Sequence, residues 1–144
     1  MSVKQVSVFV ENQPGALLSL TDVLSKCGID MRALCVAESS EFGILRLIVD
    51  APDKAADALA QAGYVHNITP VLAVAIPDRP GGLHHVLTIL QESKINIEYA
   101  YAFLGGKDKD CAYMIFRVED NGAAAGALAA KGIRLVEQEE LSNL

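Results

Sequence analysis

The sequence repeats itself, and this repeat limits what the chain can fold into. Pro14-Gly15 returns 66 residues later as Pro80-Gly81, and apolar residues around the two turns coincide after the same shift. The matched pairs are Val8 and Val74, Val10 and Ile76, Leu17 and Leu83, Leu20 and Val86, Val23 and Ile89, and Leu24 and Leu90. The 144 residues are therefore predicted to form two small domains of one kind, 1–69 (copy one) and 70–144 (copy two).

The offset grows to 69 in the second half of each copy, where Gly63 matches Gly132. The extra residues of copy two fall in the polar, glycine-rich stretch 104–110, which is predicted to be a hairpin loop. An insertion confined to a loop is what two copies of one fold should show.

Both copies have the same predicted order of elements. Apolar residues alternate or run continuously in the strands and recur every three or four residues in the helices. In copy one, strands are predicted at 6–10, 31–37, 42–50 and 64–68, and helices at 17–27 and from Pro52 to just before Gly63. In copy two, strands are predicted at 71–76, 97–104, 111–119 and 133–137, and helices at 83–90 and 121–131. This βαββαβ order predicts a ferredoxin-like α+β fold, with two helices on one face of an antiparallel sheet.

The charge of the chain argues against two classes of partner. With 12 basic and 18 acidic residues, its formal net charge is -6, which disfavours binding to a phosphate backbone. Charged residues also interrupt each apolar run before the ~20 residues that a membrane helix needs. A strand follows the first few residues with no apolar leader before it, so we expect a cytoplasmic protein that binds neither nucleic acid nor membrane.

The cysteines and histidines do not suggest a metal site. Cys27, Cys35 and Cys111 are odd in number and lack CxxC spacing, so each is predicted to be a small buried residue. His84 and His85 are neighbours on a predicted helix, where their side chains point about 100° apart and cannot chelate one ion. No GxSxG, Walker or GxGxxG motif is present. We therefore expect no enzyme activity, no metal and no cofactor.

The turn between the first strand and the first helix carries the functional signal. It reads Glu-Asn-Gln-Pro-Gly-Ala-Leu at 11–17 and Pro-Asp-Arg-Pro-Gly-Gly-Leu at 77–83. Backbone N–H groups are free at the start of a helix, where the helix dipole is positive, and they can bind a carboxylate. A polar side chain just before the turn, Asn12 or Asp78, can hydrogen-bond a ligand ammonium or carboxylate. The turn is suited to a small zwitterion.

A purely structural interpretation of this turn stays open. Asn, Asp, Pro and Gly are common turn residues, and Asn12 or Asp78 could simply cap the helix. The repeat of the turn, together with a second polar position at Asp30 and Asn96 after the first helix of each copy, favours ligand binding.

At these residues the chain resembles the ACT domain family, small-molecule-sensing modules attached to many enzymes of amino-acid metabolism. The resemblance rests on Glu-Asn-Gln-Pro-Gly-Ala-Leu and Gly-Ile-Asp-Met in copy one, and on Asp-Arg-Pro-Gly-Gly-Leu and Ile-Asn-Ile in copy two. It covers nearly the whole chain. Because ACT domains commonly pair side by side, the resemblance implies two ferredoxin-like units paired in that way.

The resemblance also implies two ligand sites, each at a seam between the turn of one domain and the helix-to-strand junction of the other. The first implied site combines Asn12, Gly15, Ala16 and Leu17 with Asn96 and Ile97. The second combines Asp78, Gly81, Gly82 and Leu83 with Asp30 and Met31, and Arg79 is its compensating cation. Because one site offers two amides and the other two carboxylates, we expect unequal affinities.

The function implied is that of a non-catalytic regulatory protein, a homodimer that binds a free amino acid and acts on an amino-acid-metabolism enzyme or a transporter. The alternative is a small regulatory or docking subunit of an amino-acid biosynthetic enzyme. That subunit would act through protein–protein contacts and would bind its enzyme without a ligand.

Overall fold

The computed structural model describes residues 2–38, 41–103 and 110–143. The chain divides into two compact units. Lys4–Thr69 forms the first, and the chain from Pro70 onwards, with the first described residues up to Val3, forms the second. The hairpin loop predicted at 104–110 lies outside the described residues except for Asp110. None of the described helices is long and apolar enough to cross a membrane.

Strands and helices follow one another in the order that the repeat predicts. In chain order they are β1 (Val3–Glu11), α1 (Ala16–Lys26), β2 (Met31–Glu38), β3 (Phe42–Val49), α2 (Pro52–Gln61), β4 (His66–Pro77), α3 (Gly82–Glu92), β5 (Ile97–Ala102), β6 (Cys111–Val118), α4 (Asn121–Ala130), β7 (Arg134–Val136) and α5 (Gln138–Asn143).

The sheet of the first unit has the strand order β2-β3-β1-β4. Only the first residues of β4, up to Thr69, belong to this unit. Strands β1 and β3 are antiparallel, and Val8 lies opposite Leu45. Alternate residues of β1 point to one side of the sheet, where Leu20 and Leu24 of α1 and Leu59 of α2 pack on them. The two helices therefore cover one face, as predicted.

The second unit repeats this arrangement with the order β5-β6-β4-β7. Val74 of β4 lies opposite Met114 on one side and Leu135 on the other. Its core joins β4 and β6 to Leu90 of α3 and Leu128 of α4. Two βαββαβ units are thus present, and the predicted fold class is confirmed.

Three local features differ from the prediction. The last strand of copy one and the first of copy two are one continuous strand, β4, although Pro70 lies within it. A C-terminal helix, α5, was not predicted because its six residues include only one apolar side chain, the fully buried Leu141. The expected burial of the cysteines is wrong: Cys27, Cys35 and Cys111 are free and only half-buried, since they lie at a helix end, on an edge strand and at a strand start.

Candidate functional site

The turn of copy one leaves the start of α1 uncapped. Gly15 is the residue before the helix and has φ 83°, a left-handed conformation that glycine adopts readily. The N–H of Gln13 donates to the carbonyl of Glu11 at 3.0 Å, and the N–H of Ala16 donates to that of Gln13 at 3.2 Å. No side chain caps the helix, so capping by Asn12 is contradicted.

The N–H groups of Leu17 and Leu18 have no acceptor among the described hydrogen bonds. They belong to the first turn of α1, where N–H groups point out of the helix end. The turn of copy two is built in the same way, because Gly81 has φ 87° and Asp78 does not cap α3 either. Both turns therefore offer free donors at the positive end of a helix dipole.

In copy one this helix start opens onto a cleft of about 540 Å³, here called the aromatic cleft. It is lined by residues of the turn and of the start of α1, which are Glu11, Gln13, Pro14, Gly15, Ala16 and Ser19, and by Phe9, Val10, Phe42, Gly63, Tyr64 and Val65 from the neighbouring strands and the end of α2. Of the predicted residues, Gly15 and Ala16 line it, whereas Asn12 and Leu17 are exposed beside it. The aromatic residues were missed by the sequence reasoning, although Phe9 occupies an outward position of an alternating strand.

Strand pairing brings the apolar wall together. The N–H of Phe9 donates to the carbonyl of Val65 at 3.0 Å, and Phe42 lies opposite Glu11. Tyr64 is held by its N–H, which donates to the carbonyl of Leu59 at 2.9 Å, and it packs against the core. The exposed fractions of Phe9, Phe42 and Val65 are nevertheless 48%, 54% and 68%.

The turn of copy two is tighter. A Cβ at Gly82 would lie 2.1 Å from the carbonyl oxygen of Pro77, so only glycine fits, whereas Ala16 occupies the matching position in copy one. The N–H of Asp78 donates to the carbonyl of Asp110 at 2.9 Å. Asp78, Arg79, Gly81 and Leu83 are exposed, and Gly82 is buried.

In the second unit, Tyr113 and Arg134 lie on either side of Ala75, which matches Phe9. Arg134, the counterpart of Val65, pairs with Glu140 of α5 and donates to the hydroxyl of Tyr113 at 3.2 Å. Its guanidinium also lies 5.9 Å from the centroid of the Tyr113 ring. The hydrogen bond to Glu140 raises the pKa of Arg134 above its usual value, which keeps this group charged. The counterpart of Phe9 in copy two is the small residue Ala75.

The helix-to-strand junctions carry the other predicted residues. In copy one, the N–H of Asp30 donates to the carboxylate of Asp50 at 3.0 Å, and its own carboxylate lies 3.4 Å from Arg32. Asp30 is therefore not an isolated negative charge, and Arg32 is a junction residue that the sequence reasoning missed. Met31, the first residue of β2, is half-buried.

In copy two, Asn96 is exposed and lies between two clefts. One, of about 570 Å³, is lined by Ser93, Lys94, Ile95, Asn96, Glu119, Asp120, Asn121 and Ala123. The other, of about 430 Å³, is lined by Leu87, Leu90, Gln91, Lys94, Ile95, Asn96 and Ile97. Both predicted residues, Asn96 and Ile97, thus border a cavity.

A single unit cannot join its own turn to its own junction. The turn precedes α1 and the junction follows it, and a helix of 11 residues separates them by roughly 16 Å. A ligand that touches both kinds of residue would have to lie between two units. The paired sites therefore remain a prediction.

Comparisons with known proteins agree with the geometry. The family model described as an ACT domain pair matches residues 1–144. The crystal structure of protein BT0572 from Bacteroides thetaiotaomicron is 38% identical with a TM-score of 0.93, and the alignment covers 100% of this chain and 98% of that one. No curated protein matches this chain.

More distant structures share the fold. The regulatory subunit of aspartate kinase from Thermus thermophilus, in a ligand-free form, has a TM-score of 0.65 and 18% identity, over 88% of this chain and 90% of that one. The same subunit from Thermus flavus has a TM-score of 0.60 and 16% identity over the same shares. Together, the repeated βαββαβ units, the repeated Pro-Gly turns and the full-length family match show that the chain belongs to the ACT domain pair family.

Proposed function

We propose that this chain is a non-catalytic regulatory protein that binds a free amino acid at its Pro-Gly turns. The observation that carries the proposal is the uncapped start of α1, because Gly15 and Ala16 at this helix start line a cleft of ligand size. A carboxylate is one of the anions that such a helix end binds. The distant aspartate kinase regulatory subunits support a regulatory role through fold alone.

The ligand at the copy-one turn is held by both of its charged ends. Its carboxylate accepts from the N–H groups of Leu17 and Leu18, and its ammonium donates to Asn12 or to the carboxylate of Glu11. Asn96 and Ile97 of another ACT unit complete this site. A second copy of the chain in a homodimer can supply them.

The second site, at the copy-two turn, has weaker affinity in this proposal. Asp78 and Asp30 would bring two carboxylates near the ligand carboxylate, which is unfavourable. Arg32, 3.4 Å from Asp30, and Arg79 reduce this repulsion. Both sites then bind an amino acid, and the site with the amides of Asn12 and Asn96 is filled first.

A docking role is the second candidate, and exposed apolar residues on an edge strand favour it. Leu34 and Val36 of β2 are 41% and 45% exposed, and β2 has a neighbour on one side only within its unit. An unpaired apolar edge is a place where another chain can add to a sheet. In this version the partner is a cytoplasmic enzyme of amino-acid metabolism, or a transporter, and binding needs no ligand.

The test is a thermal-shift screen of the twenty amino acids. A ligand at a hundredfold excess over its Kd should stabilise the protein by ~2.7 kcal/mol. Asn12→Ala should reduce that shift, and Asn67→Ala, an exposed amide on β4, is the matched control. If no amino acid stabilises the protein, the sensor proposal fails, and capture of a partner without ligand would favour the docking role.

A further inference from the structure

The aromatic cleft exposes apolar side chains that the fold does not require. Phe9, Phe42 and Val65 are each about half-exposed or more, and they converge on one cavity. Apolar residues gathered at one exposed place commonly mark a binding site. Their proximity follows from strand pairing, so the wall that they form is positioned by the sheet.

Copy two serves as an internal comparison. The same strands and turn form there with Ala75 and Cys111 in place of Phe9 and Phe42, and with Arg134 in place of Val65. Arg134 pairs with Glu140 and lies over the ring of Tyr113 there. Because copy two folds in the same way without counterparts of Phe9, Phe42 and Val65, the fold does not require these three apolar side chains in copy one.

The lining of the cleft is both polar and apolar. The start of α1, Gln13 and Ser19 line it together with the rings of Phe9, Phe42 and Tyr64. Glu11 adds a negative charge and accepts a hydrogen bond from Gln13. A ligand with a zwitterionic end and an apolar end matches this mixed lining, whereas an acidic side chain would be repelled by Glu11.

We propose that the aromatic cleft selects amino acids with an aromatic or large branched apolar side chain, and that copy two has no such selectivity. This rests on the proposed function, because the charged end of the ligand is taken to bind at the α1 turn. The side chain of the ligand packs against Phe9, Tyr64 and Val65. One ligand of this class binds per chain.

The experiment is calorimetric titration of the full chain with phenylalanine, leucine, alanine and aspartate. Phenylalanine and leucine should bind at least about tenfold more tightly than alanine, since apolar contacts distinguish such ligands by ~10–200-fold. Aspartate should bind most weakly. Phe9→Ala should remove this preference and leave the affinity for alanine unchanged, and Val65→Glu should do the same by placing a charge in the wall.

Leu34→Ala is the matched control, because Leu34 of β2 is 41% exposed and does not line the cleft. It should leave all four affinities unchanged. Equal affinities for all four amino acids, or an unchanged preference in both cleft variants, would overturn the selectivity and leave the amino-acid sensor intact. Absence of binding by every amino acid would overturn both.

Discussion

Copy one and copy two have the same backbone conformation in their Pro-Gly turns, but different side chains surround the two turns. Gly15 and Gly81 have nearly the same φ, and the hydrogen bonds that close the two turns match. In copy one the turn opens onto an aromatic cleft, whereas in copy two Arg134 and Tyr113 occupy that place. A repeated fold therefore conserves the donors of the helix start but not the shape of the cavity beside them.

The largest effect is expected in the cores, where the copies are most alike. Leu24 and Leu90 are matched residues, and each is almost completely buried. Replacing either by alanine should lower the free energy of unfolding by ~2–5 kcal/mol, because it leaves a cavity in a packed core. Urea unfolding followed by circular dichroism measures both losses. A loss in one copy less than half that in the other would break the equivalence of the two cores.

The turns themselves should respond unequally. Gly82→Ala places a Cβ against the carbonyl oxygen of Pro77 and should lower the free energy of unfolding by ~1–3 kcal/mol. The reverse change in copy one, Ala16→Gly, relieves no contact and should cost at most ~1 kcal/mol. Chemical unfolding of both variants gives the comparison. Equal losses would show that the contact between the new Cβ and the carbonyl oxygen of Pro77 does not destabilise the protein.

The ion pair that fills copy two should contribute little stability. Arg134→Ala removes the pair with Glu140, and since the Arg134 side chain is 48% exposed we expect a loss of ~0.2–1 kcal/mol. The loss should shrink at high salt, which screens exposed charges. Unfolding in low and high salt measures it, with Lys26→Ala, which breaks the exposed pair with Asp22, as control. A loss that does not depend on salt would assign the effect to packing on Tyr113 instead.

The smallest expected effect concerns the ends of the first helices. Gly28 has φ 64° and its counterpart Lys94 has φ 57°, a left-handed conformation that is unfavourable for a residue with a Cβ. Lys94→Gly should therefore raise the free energy of unfolding by up to ~1 kcal/mol, offset in part by the greater freedom of glycine in the unfolded chain.

The mirror variant, Gly28→Lys, should lower the free energy of unfolding by a similar amount. A Cβ at this position meets no atom within 4 Å, so only the left-handed backbone conformation opposes the lysine. Thermal unfolding of the two variants tests the pair. A stability loss in Lys94→Gly would show that the lysine side chain makes a contribution of its own at the junction.

Most of the fold could be predicted because its signals are local. Leu20 and Leu24 recur at helical spacing, Val6, Val8 and Val10 alternate, and the 66-residue repeat doubles each signal. Helix α5 could not be predicted, because one buried leucine in six residues leaves no periodicity. The continuous strand β4 was missed because the repeat placed a domain boundary between residues 69 and 70, and separate strands were predicted at 64–68 and 71–76.

The candidate site could be predicted only in part. The turn residues Gly15 and Ala16 follow from the motif and line the cleft. The wall residues Phe9, Phe42 and Tyr64 are far apart in sequence, and no spacing rule relates them. Arg134 beside Tyr113 was missed for the same reason. Arg32 is only two residues from Asp30, but no part of the turn motif points to it.

The sequence by itself determined the two units, the βαββαβ order and the position of the helix starts, since periodicity and turn residues record how each short segment is buried or bent. Only the tertiary structure decided which turn opens onto a cleft. That choice depends on strand register, which sets Phe9 beside Val65 in copy one and Ala75 opposite Arg134 and Tyr113 in copy two. Register is a relation between distant segments, and a pattern along one segment does not contain it.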